Sequence, residues 1–313
     1  MPLVAPIPVP PPSPAPIRPL PQPVSHMLRY SITGANDDTL DLELVNGVLV
    51  LPGVRGLDMP DPITRSTEPI GWDGGRHESA RYGFREVFLP IEMVGTQPQL
   101  QALVARIIRI LDVRRGPVTV TVAHRDGRKY TIAGMYAGGF DQDLPVGGGQ
   151  WRHSAGITIS CDDPYWQGEQ RTIVFARGLV TVDPFLGEGF LPPSLSTAFK
   201  LGEIEIDVAG DAEAFPRWRV HGPGDEFTAT DLTTGASWGF GELDATDELI
   251  LDARRGVQTI TLNGERAWNL TTTGSILWPL QPGRSAIELA ISEIGAESVI
   301  ELSYTPRFLS VWA

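Results

Sequence analysis

The chain has 313 residues and carries 38 acidic side chains against 25 basic ones, a formal net charge of -13. That length suffices for two ordinary hydrophobic cores, the 42% apolar content is that of a globular chain, and the negative average field opposes non-specific binding to nucleic acid. A single cysteine, Cys161, excludes an internal disulfide and any Cys-rich zinc or iron–sulfur centre.

Residues 1–23 hold 11 of the 28 prolines. Each proline fixes φ and removes an amide donor, so residues 1–25 are expected to form an extended, polyproline-like or disordered leader outside any sheet. Such a leader is a tether, or a peptide that docks on a neighbouring subunit. Its opening, MPLVAPIPVPPPSPAP, has neither the basic start nor the unbroken apolar core of a signal peptide. No apolar stretch reaches the roughly 18 residues needed to cross a bilayer, and synthesis in the cytoplasm with no membrane insertion follows as the expectation.

A first domain is expected over 26–149. LRYSITGANDDTLDLEL, GVLVLPG and the stretch 81–93 read as short strands separated by Gly, Asn and Pro turns. One helix is predicted from Gln97 to Asp112, with Leu100, Leu103, Val104, Ile107, Ile108 and Leu111 forming an apolar stripe that lies against a sheet. VTVTVAHRDGRKYTIAGMYAGG then resumes an alternating pattern around a hairpin turn at Asp126-Gly127. The whole reads as an α+β domain dominated by antiparallel strands.

The Gly147–Gly149 run is read as a hinge, with a second domain over 150–313. AGITISC at 155–161 is a transition strand, followed by Asp162-Asp163-Pro164-Tyr165-Trp166. The segment 182–195 is a Gly- and Pro-rich loop. From Gly202 onward EIEIDVAG, FPRWRVHGPG, FTATDLT, ELILDARR, VQTITLNG, SILWPL, SAIELAIS and SVIELSYTP follow at the short spacing of an antiparallel β-sandwich.

Convergent chemistry is hard to find. The five histidines, His26, His77, His124, His153 and His221, are far apart and have no metal-binding spacing. Cys161 ends an apolar strand and reads as a buried, inert thiol. GWDGGRH at 71–77 lacks the lysine and hydroxyl residue of a nucleotide-binding loop, and the 147–149 glycines lead into no helix; both read as turns or hinges. Asp37, Asp38, Asp141, Asp143, Asp162, Asp163, Asp244 and Asp247 lack calcium-loop spacing and read as solvated turn carboxylates. No catalytic residue, cofactor or metal is expected. Seven of the eight tryptophans, from Trp151 to Trp312, fall in the expected second domain. Most are expected in the core, Trp218 by its alternation with Arg217 and Arg219, while Trp166 and Trp312 flank turn or terminal segments and are the better interface candidates.

Several phrases, in their order and spacing, resemble the distal tail protein family of siphophages, in the form common among phages of high-GC actinobacteria. They are PGVRGLDMPDP at 52–62, GWDGGRHESARYGFREVFLPIEMVG at 71–95, ISCDDPYWQGE at 159–169, VAGDAEAFPRWRVHGPG at 208–224, ELILDARRG at 248–256, SILWPLQPGRSAIEL at 275–289 and the closing IELSYTPRFLSVW. The resemblance implies a mainly β protein. Its N-terminal domain would be split and β-barrel-like with one α-helix, related to tail-tube subunits, and its C-terminal domain a galectin-like antiparallel β-sandwich. It further implies a non-enzymatic structural hub of the virion tail tip. A hexameric ring would join the tail-tube protein to the trimeric tail-tip protein, with receptor-binding or other minor tail proteins as further partners, and DNA would pass through the channel without specific binding. Residues 27–149 would form the inner ring, and 150–313 would project outward as an attachment platform.

In that reading Tyr82, Phe84, Arg85 and Phe88 are core or ring-contact residues, and strand alternation leaves open which. Asp163, Pro164, Tyr165 and Trp166 fix the crossing between domains, where Pro164 restricts the turn. A carbohydrate-binding module using Trp166, Trp238 or Trp268 is the alternative, with another tube or adaptor protein, and then a hydrolase, behind it. NGERAW at 263–268 comes nearest to a galectin sugar motif and reads more simply as a hairpin turn.

Overall fold

The computed structural model describes residues 28–68, 71, 73–141, 152–176, 179–181, 198–292, 295 and 298–313. The proline-rich leader, the 147–149 glycines, Trp151, Asp143, His26 and the 182–195 loop lie outside the described residues.

The first unit is built on one antiparallel sheet. Its strands are β1 (Leu28–Thr33), β2 (Thr39–Asp41) and β3 (Val48–Val50), then, after a separate hairpin of β4 (Pro62–Thr67) and β5 (Arg76–Tyr82), β6 (Arg85–Val94), β7 (Val118–His124), β8 (Lys129–Gly138) and β9 (Arg152–Cys161). The order across the sheet is β2-β1-β7-β8-β9-β6-β3, and β10 (Trp166–Gln167) pairs with β8. The alternation seen in REVFLPIEMV is realised directly: Arg85, Val87, Leu89, Ile91 and Met93 are buried while the residues between them are partly or fully exposed. The sheet curls into a near-barrel around these side chains, Val118, Val120 and Val122 of β7, and Ile157 and Ile159 of β9.

The helix α1 (Gln97–Leu111) closes this core. Thr96 starts it, its backbone N–H and its hydroxyl both donating to Gln99 Oε1 at 2.8 Å, a cap of the kind worth about 1 kcal/mol. Its buried line is Ile107, Ile110 and Leu111, with Leu100, Leu103 and Val104 packed beside them. The predicted stripe holds except at one position: Ile110 is inside in place of Ile108, which is 54% exposed.

The second unit is a sandwich. One layer runs β12 (Leu179–Thr181), β11 (Arg171–Ala176), β21 (Val299–Tyr304), β14 (Arg217–His221), β17 (Glu248–Asp252), β18 (Thr259–Leu262) and β19 (Glu265–Arg266). The other runs β13 (Ala198–Val208), β20 (Gly283–Ser292), β15 (Asp225–Asp231) and β16 (Ser237–Phe240). Phe175, Trp218, Val220, Leu249, Leu251, Ile300 and Leu302 of the first layer meet Ile206, Val208, Phe227, Ala229, Trp238, Ile287 and Leu289 of the second in one core. The predicted strand at 275–280 is instead irregular chain anchored by the Ala214–Leu280 bridge, and Trp278 is buried from a loop. Asn263 and Gly264, both at positive φ, make the turn between β18 and β19.

The expected cut at residues 149/150 falls in front of β9, which pairs along its whole length with β6 and fills the first core. The chain also returns: β22 (Arg307–Phe308) pairs with β10, and Val311 is buried in the first core. The first unit therefore draws on both ends of the described chain.

Candidate functional site

The residues expected at the domain crossing do converge, around two arginines. Arg85 occupies the buried parity of β6 and is 2% exposed. Its Nε donates to the Pro164 carbonyl at 2.5 Å, Nη1 to Gly56 O at 2.7 Å and to Asp58 O, and Nη2 to Leu309 O at 2.7 Å. One guanidinium thus ties the 56–58 loop, the 162–166 turn and the returning chain end together. Five fixed donors let arginine do this where lysine cannot. Burial lowers the Arg85 pKa from its ordinary value, although Cys161, Asp58 and Asp163 act in the opposite sense. Trp166, fully buried beside it, donates Nε1–H to the same Gly56 carbonyl at 3.2 Å.

Arg307 is the second clamp, and nothing in the local sequence marked it out. Its Nη2 lies 2.5 Å from Asp163 Oδ1 and its Nη1 donates to Glu213 O at 3.0 Å. The guanidinium stacks over Tyr165 at 4.4 Å and Phe215 at 5.1 Å from the ring centres. Tyr165 in turn meets Tyr82 edge-on at 6.1 Å. Gly210, at φ 111°, lets the 210–212 backbone bridge to Arg307: a Cβ there would stand 2.4 Å from the Arg307 carbonyl oxygen. These contacts join the sandwich to the first sheet through partly buried, oriented groups.

The remaining candidates divide. Phe88 is half-buried, under the Arg55 guanidinium at 4.8 Å and against Gly156, where a Cβ would stand 2.5 Å from the ring and force it to move. Phe84 is 68% exposed, with Met59 at 63% and Ile63 at 46%; Gly83 between them bonds to Asp61 O. Trp312 is half-exposed and sits edge-on to His124 at 5.6 Å. His124 contacts Val311 O at 2.7 Å and Tyr130 donates to Ala313 O at 2.6 Å, so these groups hold the end of the chain on β7 and β8. Of the rings considered for sugar stacking, Trp166 and Trp238 are buried and Trp268 is exposed, so no concave aromatic patch forms from the three. Trp166 serves the junction and is closed to an intersubunit surface.

Among the described residues no group of three His, Cys, Asp or Glu side chains is placed to hold a metal ion, and no helix is long and apolar enough to cross a membrane. Cys161 is fully buried, and burial pushes its thiol up to about 12 while Arg85 pulls the other way. Its labelling by a thiol reagent at pH 8 is expected to require unfolding. Prompt modification of the native protein would show that this corner of the junction opens.

The β4–β5 hairpin is the feature that sequence reasoning missed. Every residue of β4 is exposed, as is every residue of β5 except Tyr82. Among the described residues the hairpin pairs with no other strand, and Gly71 and Gly74 turn its tip at positive φ. A lone two-stranded ribbon is marginal in water, so this arm has the character of an element completed by a partner.

Residues 209–308 match the family described as siphovirus-type tail component, C-terminal domain. No curated protein matches the chain. Among solved structures, the chain is similar to the Dit protein of phage SPP1, described as a paradigm of hub adsorption apparatus in Gram-positive infecting phages, at 17% identity and TM-score 0.62, covering 89% of this chain and 99% of that one. It is also similar to a chain of the phage P2 baseplate in its activated conformation with Ca, at 13% identity and TM-score 0.50, covering 88% and 97%. Residues 209–308 thus resemble the C-terminal domain of siphovirus-type tail components, and the fold of the chain is similar to that of the SPP1 Dit protein.

Proposed function

We propose that this protein is the hub of a siphophage tail tip, a structural ring subunit that joins the tail tube to the tail-tip or baseplate proteins. The match of residues 209–308 to the tail component family carries the reading. In it the first unit forms a hexameric ring around a channel that conducts DNA, the sandwich faces outward as an attachment platform, and the tube and trimeric tip proteins bind opposite faces of the ring. The exposed arm and the Met59, Ile63 and Phe84 surface at its base supply contacts for a neighbouring subunit. The net charge of -13 suits a conduit that must release DNA.

Electron microscopy of the purified chain, with its solution mass, is expected to give a six-fold open ring. Replacing residues 63–81 by a short Gly-Ser link should abolish the ring while changing fold stability by less than about 1 kcal/mol, because those residues are exposed on both strands of the arm. A monomer at every concentration and in the presence of its tail neighbours would overturn the hub reading, and a ring that survives arm removal would refute the role given to the arm.

A further inference from the structure

The two flanks of α1 are complementary. On one side Gly47 lies beside Leu103, and Arg106 binds Asp38 at 2.7 Å, so the segment 38–47 runs along that flank. It ends in a 3-10 turn, Leu44–Asn46, on which Leu44 is 62% and Val45 85% exposed. Asp41, exposed, and Glu43, half-buried, precede this apolar knob in the chain, with Arg29 paired to Glu43 at 3.4 Å. On the other flank Val104, Ile108 and Leu111 of the helix, with Val113, Tyr136, Phe140 and His153, line an open groove of about 580 Å³. Its rim carries Arg109, Arg114 and Arg115 against a single carboxylate, Asp112, which pairs with Arg114 and Arg115. Ile108 and Val113 are 54% and 46% exposed there.

An acidic apolar knob and a basic apolar groove thus stand on opposite sides of one helix. At 100° per residue Leu103 and Arg106 fall on one side of the buried Ile107, and Val104 and Ile108 on the other. We propose that the groove receives the 41–46 knob of a second copy of this chain, a head-to-tail contact that rests on the hub reading and would propagate from copy to copy. Two unlike surfaces on one subunit are what a closed ring requires. The apolar pairing of Leu44 and Val45 with Ile108 and Val113 would supply the desolvated centre, and the opposed charges the direction.

The test places a photo-reactive phenylalanine analogue at Val113 in the full chain, mixed with isotopically labelled protein, and maps the products by mass spectrometry. Cross-links to residues 41–47 of the other copy are expected. Val45→Lys, which puts a cation against the arginine rim, and Ile108→Glu, which puts an anion against the acidic knob, should each reduce those cross-links at least about tenfold. The two changes combined in one chain should recover most of the yield. Both positions are exposed, so circular dichroism should be unchanged. Cross-links to residues 142–151 of the same chain or to the arm, or no recovery in the double variant, would overturn the contact. A six-fold ring with cross-links elsewhere would leave the hub reading standing without it, whereas a monomer with no intermolecular product would remove both.

Discussion

Arg85→Leu is expected to destabilise the protein by about 3–5 kcal/mol, because four part-buried carbonyls lose the charged donor that a buried guanidinium supplies. Leucine fills part of the space and returns some hydrophobic free energy, but it cannot satisfy Gly56, Asp58, Pro164 and Leu309 at once. Arg85→Lys keeps the charge on a single nitrogen, which cannot span acceptors on three segments, and should lose about half as much. Urea unfolding measures the free-energy change, and Trp166, bonded to the same Gly56 carbonyl, should report the loosening through its fluorescence. Proteolysis should in addition cut near residues 309–313 in the leucine variant before global unfolding. A loss under about 1 kcal/mol would mean that the carbonyls find water and that the clamp is ornamental.

The same residue shows how far sequence carries. In REVFLPIEMV the parity that puts Val87, Leu89, Ile91 and Met93 inside also puts Arg85 inside, but alternation alone left open which face was buried, and the partners of Arg85, up to 224 residues away, leave no local trace. Asp126-Gly127 and Asn263-Gly264 were readable as turns because their backbone needs are local. The helix was readable in extent, but Ile108 and Ile110 are both apolar, and periodicity alone could not decide which of them faced β6.

What stayed hidden was non-local or lacked a period. AGITISC shows that one face of a strand is buried without saying in which sheet, and only the pairing of β9 with β6 assigns it to the first. PITRST and RHESARY are exposed on both faces, so their composition carries no alternation from which a strand could be inferred. Arg307 lies in a two-residue strand and acquires its meaning only from Asp163, Glu213 and Tyr165. The interfaces of a ring subunit are of this kind: they are selected by surfaces brought together, and leave little trace in any one segment.

Trp218→Ala is the other change expected to be severe, at about 3–5 kcal/mol. Trp218 projects from the middle of β14, 1% exposed, and meets Trp238 edge-on at 5.5 Å and Trp278 at 6.0 Å, so its removal takes the shared centre out of a three-ring cluster that spans both layers. The neighbours cannot collapse into the space, since Trp218 lies between β17 and β21 in register with Leu251 and Leu302. The surrounding rings give an internal control. Trp278 buries its Nε1–H without a hydrogen-bond partner among the described residues, so Trp278→Phe removes an unpaired donor along with some packing and should cost less than about 1.5 kcal/mol. Denaturant unfolding of both variants separates the two effects. Because the sandwich reaches the first sheet through Arg307, loss of Trp218 should also lower the denaturant midpoint at which the Arg307–Asp163 junction opens. Near-equal costs for Trp218→Ala and Trp278→Phe would show that the cluster is a peripheral filler, and that the sandwich draws its stability from the aliphatic pairs of β14, β17, β20 and β21 instead.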